Sequence, residues 1–145
     1  MFKDRDTYFE IDDLKKFSVK AVYTTKKIGD IDILFKGSEN IFKCFGKENV
    51  QVIYARQTHT AEVIDIEEDT KKYFYEEIDG FITKRKDVAL MTQYADCLPI
   101  FFYDKKNSVI GVSHSGWKGS FQEIGIKTLE LMEKKYGSER KNIFI

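Results

Sequence analysis

Apolar and β-branched residues recur in short runs along the chain, and this pattern predicts a protein built mostly of strands with a few helices. Polar or glycine-containing turns separate the runs. Strands are expected over Thr7–Ile11, Val19–Thr25, Val50–Arg56, Ala61–Ile66, Phe81–Thr83 and Val88–Gln93. Lys26–Asp30 has the composition of a turn, whereas the charged stretch Glu67–Glu77 predicts a surface loop or a short helix. The strongest hairpin is expected where Leu98–Tyr103 and Ser108–His114 flank a polar turn.

Helical spacing appears in two places. Ser38–Phe45 predicts a helix with Ser38 as its N-cap and Gly46 behind its last turn. A long amphipathic helix is expected after Gly119, closed by Gly137, on the spacing of Phe121, Ile124, Thr128, Leu131, Met132 and Tyr136. Asn142–Ile145 begins a further strand in which the sequence stops. We therefore expect the sequence to be part of something longer.

Composition narrows the class of protein. A chain of 145 residues fits one domain, residues 1–145. The 24 basic and 24 acidic residues cancel, so neither nucleic acid nor an anionic membrane is expected as a partner. The start is charged and lacks a secretory signal, and no apolar run approaches the ~20 residues that span a bilayer. Cys44 and Cys97 lie in unlike contexts, which argues against a disulfide and favours the cytoplasm.

Cys97, His59 and His114 are the candidate site residues. Both histidines, the chain's only two, stand where an apolar strand-like run ends, and Cys97 stands just before such a run. One thiolate and two imidazoles would leave the fourth position of a tetrahedral zinc open, as catalytic zinc sites do. Copper would accept the same set. A metal-free alternative makes Cys97 a nucleophile and His114 its base.

Each candidate also has a purely structural interpretation. Cys97 could be an inert buried thiol, and the histidines ordinary hydrogen-bonded loop residues. Asp79 with Gly80 is typical of a turn, and Asp96 either caps a turn or orients a ligand. Arg56 and Lys118 are solvated charges or, with the N–H groups of residues 116–119, anion-binding groups.

Several segments resemble motifs of the YfiH family, also called the laccase-domain or multicopper polyphenol oxidase family. The matches are Q-x-H-G-x-x-V at Gln57–Val63, D-G-x-x-T at Asp79–Thr83, A-D-C-x-P at Ala95–Pro99 and G-x-x-H-A-G-W-R-G at Gly111–Gly119. They occur in the family's order, and the resemblance extends from about Val19 to Ile145. It departs from the family at Thr60, where glycine is usual, and at Ser115 and Lys118, which replace Ala and Arg.

The resemblance implies an α+β (mixed α/β) fold of the cytotoxic-necrotizing-factor/YfiH-like type, a mixed sheet flanked by helices. It implies a zinc site of His59, Cys97 and His114. For the phosphate that phosphorolysis requires, Arg56, Lys118 and the N–H groups of residues 116–119 are the best candidates. The implied activity is phosphorolysis of adenosine, inosine and guanosine, cleavage of methylthioadenosine and deamination of adenosine. Peptidoglycan editing is attributed to some bacterial members. The partners are then small molecules, purine nucleosides and phosphate.

The family's C-terminal element, G-P-x-I … C-Y-E-V, has no match here, so we expect a domain that is truncated at its C-terminus. Three alternatives to the phosphorylase follow. The chain could be a non-catalytic zinc-binding or interaction module, or a metal-independent Cys–His hydrolase. The family's older name suggests a polyphenol oxidase (laccase).

Overall fold

The structure, a computed structural model, describes residues 1–29, 44–46 and 50–145. The chain divides into two compact units, Met1–Val50 and Gln51–Ile145. Most of the helix predicted over Ser38–Phe45 lies outside the described residues; Cys44 and Phe45 are helical, and Gly46 follows with a left-handed φ of 63°. The prediction that residues 1–145 form one domain stays a prediction.

The first unit contains a three-stranded antiparallel sheet, ordered β1-β2-β3. Its strands are β1 (Phe2–Asp4), β2 (Tyr8–Ile11) and β3 (Val22–Thr24). The sequence predicted β2 and β3 but missed β1. Short 3₁₀ helices cover Asp12–Phe17, between β2 and β3, and Lys26–Ile28, where a turn was expected.

The described part of the second unit contains two sheets, a five-stranded sheet ordered β11-β9-β10-β7-β5 and a three-stranded parallel sheet ordered β6-β4-β8. The strands are β4 (Gln51–Arg56), β5 (Val63–Asp65), β6 (Phe74–Glu76), β7 (Gly80–Thr83), β8 (Val88–Leu90), β9 (Leu98–Asp104), β10 (Val109–Ser115) and β11 (Ile143–Phe144). Within the larger sheet only β5 and β7 run parallel. Strands and helices in one unit confirm the α+β class.

The helices described in the second unit follow β10. They are α1 (Trp117–Phe121) and α2 (Ile124–Tyr136), with a 3₁₀ helix at Arg140–Asn142. The prediction of one continuous helix is wrong at its start, because Glu123 has a left-handed φ of 60° that helical backbone does not allow. The predicted end is confirmed, since Gly137 closes α2 with a φ of 64°. No helix in the described ranges is long and apolar enough to span a membrane.

β7 is buried on both faces and therefore lies at the centre of the second unit. Its neighbouring residues Phe81 and Ile82 are both 0% exposed, and they point to opposite sides of the sheet. Phe81 packs in a cluster with Ile53, Ala55, Ile66, Val88 and Val112. Ile82 packs with Phe102, Val109, Leu129 and Met132. The five-stranded sheet thus has the β4 sheet on one face and α2 on the other.

The segment Glu67–Glu77 contains strand β6, which the sequence did not predict. Charged residues flank Tyr73, Phe74 and Tyr75 on both sides, so only one short aromatic run marks the strand. Tyr54 of β4 pairs with Phe74, and their ring centroids lie 5.2 Å apart. The strand is therefore held by pairing with β4 rather than by its own pattern.

The predicted β9–β10 hairpin is confirmed, with Val109 opposite Asp104 and Ser115 opposite Leu98. Its turn is organised by the fully buried carboxylate of Asp104. That carboxylate accepts hydrogen bonds from the backbone N–H of Lys106 (2.8 Å) and from the backbone and side chain of Asn107 (3.1 and 2.8 Å). Burial would raise the pKa of Asp104, but the nearby Ser138 hydroxyl and these hydrogen bonds outweigh it and hold the pKa below its usual value.

Replacing Phe81 by alanine is expected to cost about 3–5 kcal/mol in the free energy of unfolding, because it empties a fully buried site. Phe121→Ala is the matched control. That ring is 87% exposed, so its loss should change stability by less than about 0.5 kcal/mol. Urea unfolding followed by circular dichroism measures both. Equal losses would contradict the central position of β7.

Asp104→Asn is expected to destabilise the hairpin by about 1–3 kcal/mol at pH 7. Because the folded pKa of Asp104 is depressed, its contribution is present above the unfolded value of about 3.9 and disappears as the pH falls through the folded value. The stability difference between wild type and variant should therefore shrink in acid. Urea midpoints from pH 7 down to pH 3 test this, with the exposed Asp69→Asn as control. A difference independent of pH would refute the assignment.

Candidate metal centre

Strand register brings the candidate residues to one edge of the five-stranded sheet. β10 runs antiparallel to β9 and β7, with His114 opposite Pro99 and Ser113 opposite Gly80. The residues just before β9 and β7 therefore lie beside the end of β10. These residues are Cys97 and Asp79.

His59 reaches the same edge from the loop between β4 and β5. β5 pairs in parallel with β7, and Val63 lies opposite Gly80. The segment before β5 therefore meets the residue before β7, and Glu62 accepts backbone hydrogen bonds from Asp79 (3.0 Å) and Gly80 (3.1 Å). Three different strand ends thus deliver one candidate ligand each.

The predicted ligands do converge: one donor atom each from His59, Cys97 and His114 lies within 4.8 Å of the other two. Cys97 Sγ is 3.8 Å from Nε2 of His59, and the two imidazole centroids are 4.9 Å apart at 75°. The three ligands differ in burial: His59 is exposed, Cys97 is half-buried and His114 is buried. Two nitrogens and one sulfur this close suit zinc, whose bonds to them are about 2.0–2.3 Å long.

A buried carboxylate orients the innermost imidazole. Oδ1 of Asp79, which is 0% exposed, accepts a hydrogen bond from Nδ1 of His114 at 2.8 Å. Burial would raise the pKa of Asp79, but hydrogen bonds from His114 and Thr60 lower it below its usual value. The carboxylate is therefore an acceptor only. In neutral His114 the proton sits on Nδ1 and the Nε2 lone pair is available to a metal.

Gly116 lets the loop after β10 pass close to two of the ligands. A Cβ at this position would lie 2.8 Å from Cδ2 of His59 and 3.2 Å from Sγ of Cys97. The first distance is shorter than van der Waals contact allows, so any side chain here would displace the His59 ring. This close approach explains on steric grounds why the His114–Gly119 motif has glycine at position 116.

Gln57 ties the His59 segment to the Cys97 segment. Its side-chain amide donates to the carbonyl of Gln93 (2.9 Å) and accepts from the N–H of Gln93 (2.7 Å). The Gln57 side chain thus bonds to the backbone of Gln93 in the way that a paired strand residue would, one position beyond the end of β4. The two loops that carry His59 and Cys97 are thereby held to each other.

The environment of Cys97 disfavours a free thiolate. Desolvation and the negative charges of Asp96 and Asp79 raise the pKa of the Cys97 thiol. A metal-free nucleophile would need the opposite shift. Without a cation beside it Cys97 is a thiol, whereas a bound metal ion deprotonates its sulfur ligand.

Arg56 and Lys118, the predicted phosphate-binding residues, are both exposed. Nε of Arg56, at the end of β4, donates to Oε2 of Glu76 at 2.5 Å. Nζ of Lys118, in α1, lies 5.5 Å from the ring centroid of Trp117. Arg56 is therefore already ion-paired, and phosphate binding by either residue stays a prediction.

Asp79 is the site residue that sequence reasoning placed wrongly. Asp79-Gly80 was interpreted as a turn, and the ligand-orienting role was offered to Asp96. Asp96 is exposed, but its carboxylate does accept a hydrogen bond from the thiol of Cys97 at 3.7 Å, so the error concerns Asp79 alone. The available signal was the D-G-x-x-T match, which puts an acidic residue directly before a strand whose four residues are all buried.

Comparison with known proteins supports the family relationship that the sequence motifs indicate. A family model described as multi-copper polyphenol oxidoreductase laccase matches residues 34–145. A purine nucleoside phosphorylase of Borreliella burgdorferi is 39% identical over 127 residues, which cover 88% of this chain and 53% of that protein. The purine nucleoside phosphorylase YlmD of Bacillus subtilis is 33% identical over 122 residues, covering 79% of this chain and 44% of the relative. The chain thus spans about half the length of these relatives.

Solved structures confirm the predicted YfiH-like fold. The hypothetical protein YfiH of Bacillus licheniformis superposes with a TM-score of 0.84 at 22% identity, covering 98% of this chain and 62% of that one. YlmD of Geobacillus stearothermophilus gives 0.70 at 19% identity, covering 81% and 46%. With the family model matching most of the chain, this protein belongs to the multi-copper polyphenol oxidoreductase laccase family, the YfiH family that its motifs resemble.

Proposed function

We propose that this chain carries the zinc site of a purine nucleoside phosphorylase that also deaminates adenosine. The substrates would be adenosine, inosine, guanosine and methylthioadenosine. The observation that carries the proposal is the convergence of His59, Cys97 and His114 within 4.8 Å, in a family with relatives named purine nucleoside phosphorylase.

Zinc fits the donor set better than the alternatives do. One thiolate and two imidazoles leave a fourth position open, which is how catalytic zinc sites are built. Copper would accept the same ligands, so the metal has to be identified by direct analysis. The raised pKa of Cys97 weighs against the metal-free hydrolase. When bound, zinc would supply a water of lowered pKa for deamination.

Phosphorolysis needs a second, anionic substrate beside the nucleoside. A phosphate oxygen forms the new bond to C1′ while the C1′–N bond breaks, and the base leaves with that electron pair and takes up a proton. Lys118, four residues after His114, has an exposed ammonium group for phosphate. Arg56 would have to exchange Glu76 for the substrate. Lys118 is therefore the stronger candidate.

The thiol chemistry also favours a cytoplasmic location. Cys44 and Cys97 form no disulfide, and Cys97 can act as a ligand only while it is reduced. A reducing compartment maintains that state.

Purified protein is expected to bind one zinc per chain, and Cys97→Ala should weaken that affinity by more than about 100-fold, beyond what losing an outer partner costs. Cys44→Ala is the matched control, because Cys44 is buried in the first unit and is not among the three converging ligands. Elemental analysis and competition with a chromogenic chelator measure both variants. Retention of zinc by Cys97→Ala would exclude the site, and copper in place of zinc would correct the metal.

Adenosine and inosine are expected to give free base and a pentose phosphate only when phosphate is present, and adenosine to give inosine without it. Lys118→Ala should raise the KM for phosphate about tenfold or more, the effect of losing one charge-assisted hydrogen bond. The exposed Lys86→Ala is the control and should leave this KM unchanged.

Chromatography of the products distinguishes the remaining functions. Stoichiometric zinc without any turnover would identify a non-catalytic module. Oxygen uptake with a phenol would support the oxidase that the family's description names. Either result would overturn the phosphorylase.

A further inference from the structure

The carboxylate of Asp79 bonds to both histidine segments at once. Oδ1 accepts from Nδ1 of His114 (2.8 Å) and from the backbone N–H of His59 (3.1 Å). Oδ2 accepts from the backbone N–H of Thr60 (2.9 Å), from its hydroxyl (2.7 Å) and more weakly from the N–H of Thr58 (3.3 Å). One fully buried side chain thus receives bonds from the inner ligand and from three successive backbone groups around the outer ligand.

The backbone of His59 needs this support. Its φ of 61° lies in the left-handed region, which is unfavourable for a residue other than glycine because its Cβ crowds the following carbonyl oxygen. The loop turns there so that three N–H groups point at one carboxylate, and hydrogen bonds to a charged group are stronger than those between neutral groups. The carboxylate therefore offsets the strain that places the His59 ring beside Cys97.

We propose that Asp79 is the positioning residue of the metal centre, fixing the ring tautomer of His114 and the backbone of His59 before any metal binds. This inference rests on the proposed metal site for its purpose, but the arrangement itself is a property of the metal-free chain. Asp79 touches two ligands and would touch neither metal nor substrate. Its effect reaches the ion only through the two imidazoles.

The variant Asp79→Asn distinguishes a positioning role from simple filling of space. Asparagine keeps the shape of the side chain but replaces one acceptor oxygen by a donor NH₂. If that NH₂ takes the place of Oδ2, it faces the N–H groups of Thr60 and Thr58, which cannot change their polarity. If it takes the place of Oδ1, it faces one backbone N–H and the His114 ring, which can move its proton. The second orientation costs less, and it moves the proton to Nε2, the nitrogen a metal needs.

Two measurements test the proposal. Nitrogen-15 NMR of the metal-free wild type at pH 8 should show neutral His114 protonated at Nδ1, and Asp79→Asn should shift the population toward protonation at Nε2. Zinc titration should show Asp79→Asn binding about 10–100-fold more weakly than wild type. An Nε2-protonated His114 in the wild type would overturn the proposal even if the variant failed to fold.

Asp104→Asn is the matched control. Asp104 is also 0% exposed and accepts two backbone bonds and one side-chain bond, but it sits in the β9–β10 turn at the opposite end of the strands. It should lose stability and keep zinc affinity within about threefold of wild type. Equal loss of zinc affinity in both variants, or none in Asp79→Asn, would overturn the positioning role. If wild type binds no zinc, the metal site itself is wrong, and the tautomer measurement still decides the arrangement.

Discussion

The antiparallel pairing of β10 with β9 on one side and β7 on the other is the constraint on which the rest of the site depends. In an antiparallel pair the end of one strand meets the start of its neighbour, so this arrangement gathers residues distant in sequence. Cys97 and Asp79 precede the neighbouring strands and His114 ends the central one. A slip of one residue in either register would turn every side chain of the strand to the other face.

Burial on both sides of the central sheet keeps that register in place. Phe81 and Ile82 enter different clusters on opposite faces of β7, one with β4 and the other with α2. α2 is also tied to β10 by the buried hydrogen bond between the hydroxyls of Ser113 and Thr128 (2.7 Å). Asp79 and His114, the buried part of the candidate metal centre, therefore belong to the core. His59 is on an exposed loop whose position is set by bonds to that core.

The sequence predicted the strands of the central sheet well because their apolar runs are bounded by turn residues. The β9–β10 hairpin and the end of α2 at Gly137 are examples. It failed where an element depends on its partners. β6 lies in a short aromatic run among charges and is held by β4. α2 begins late because Glu123 adopts a left-handed backbone that its helix propensity does not predict.

By itself, the sequence determined which functional groups are available to the site: one thiol and two imidazoles, each near a strand boundary, in motifs typical of one family. Residue types and their distance from strand ends are local properties, so they can be read along the chain. Only the tertiary structure decided that these groups converge, that the buried carboxylate of Asp79 bonds to His114, and that Arg56 is engaged with Glu76. Those outcomes depend on strand register and on which carboxylate is buried, and both are set by packing between segments far apart in sequence.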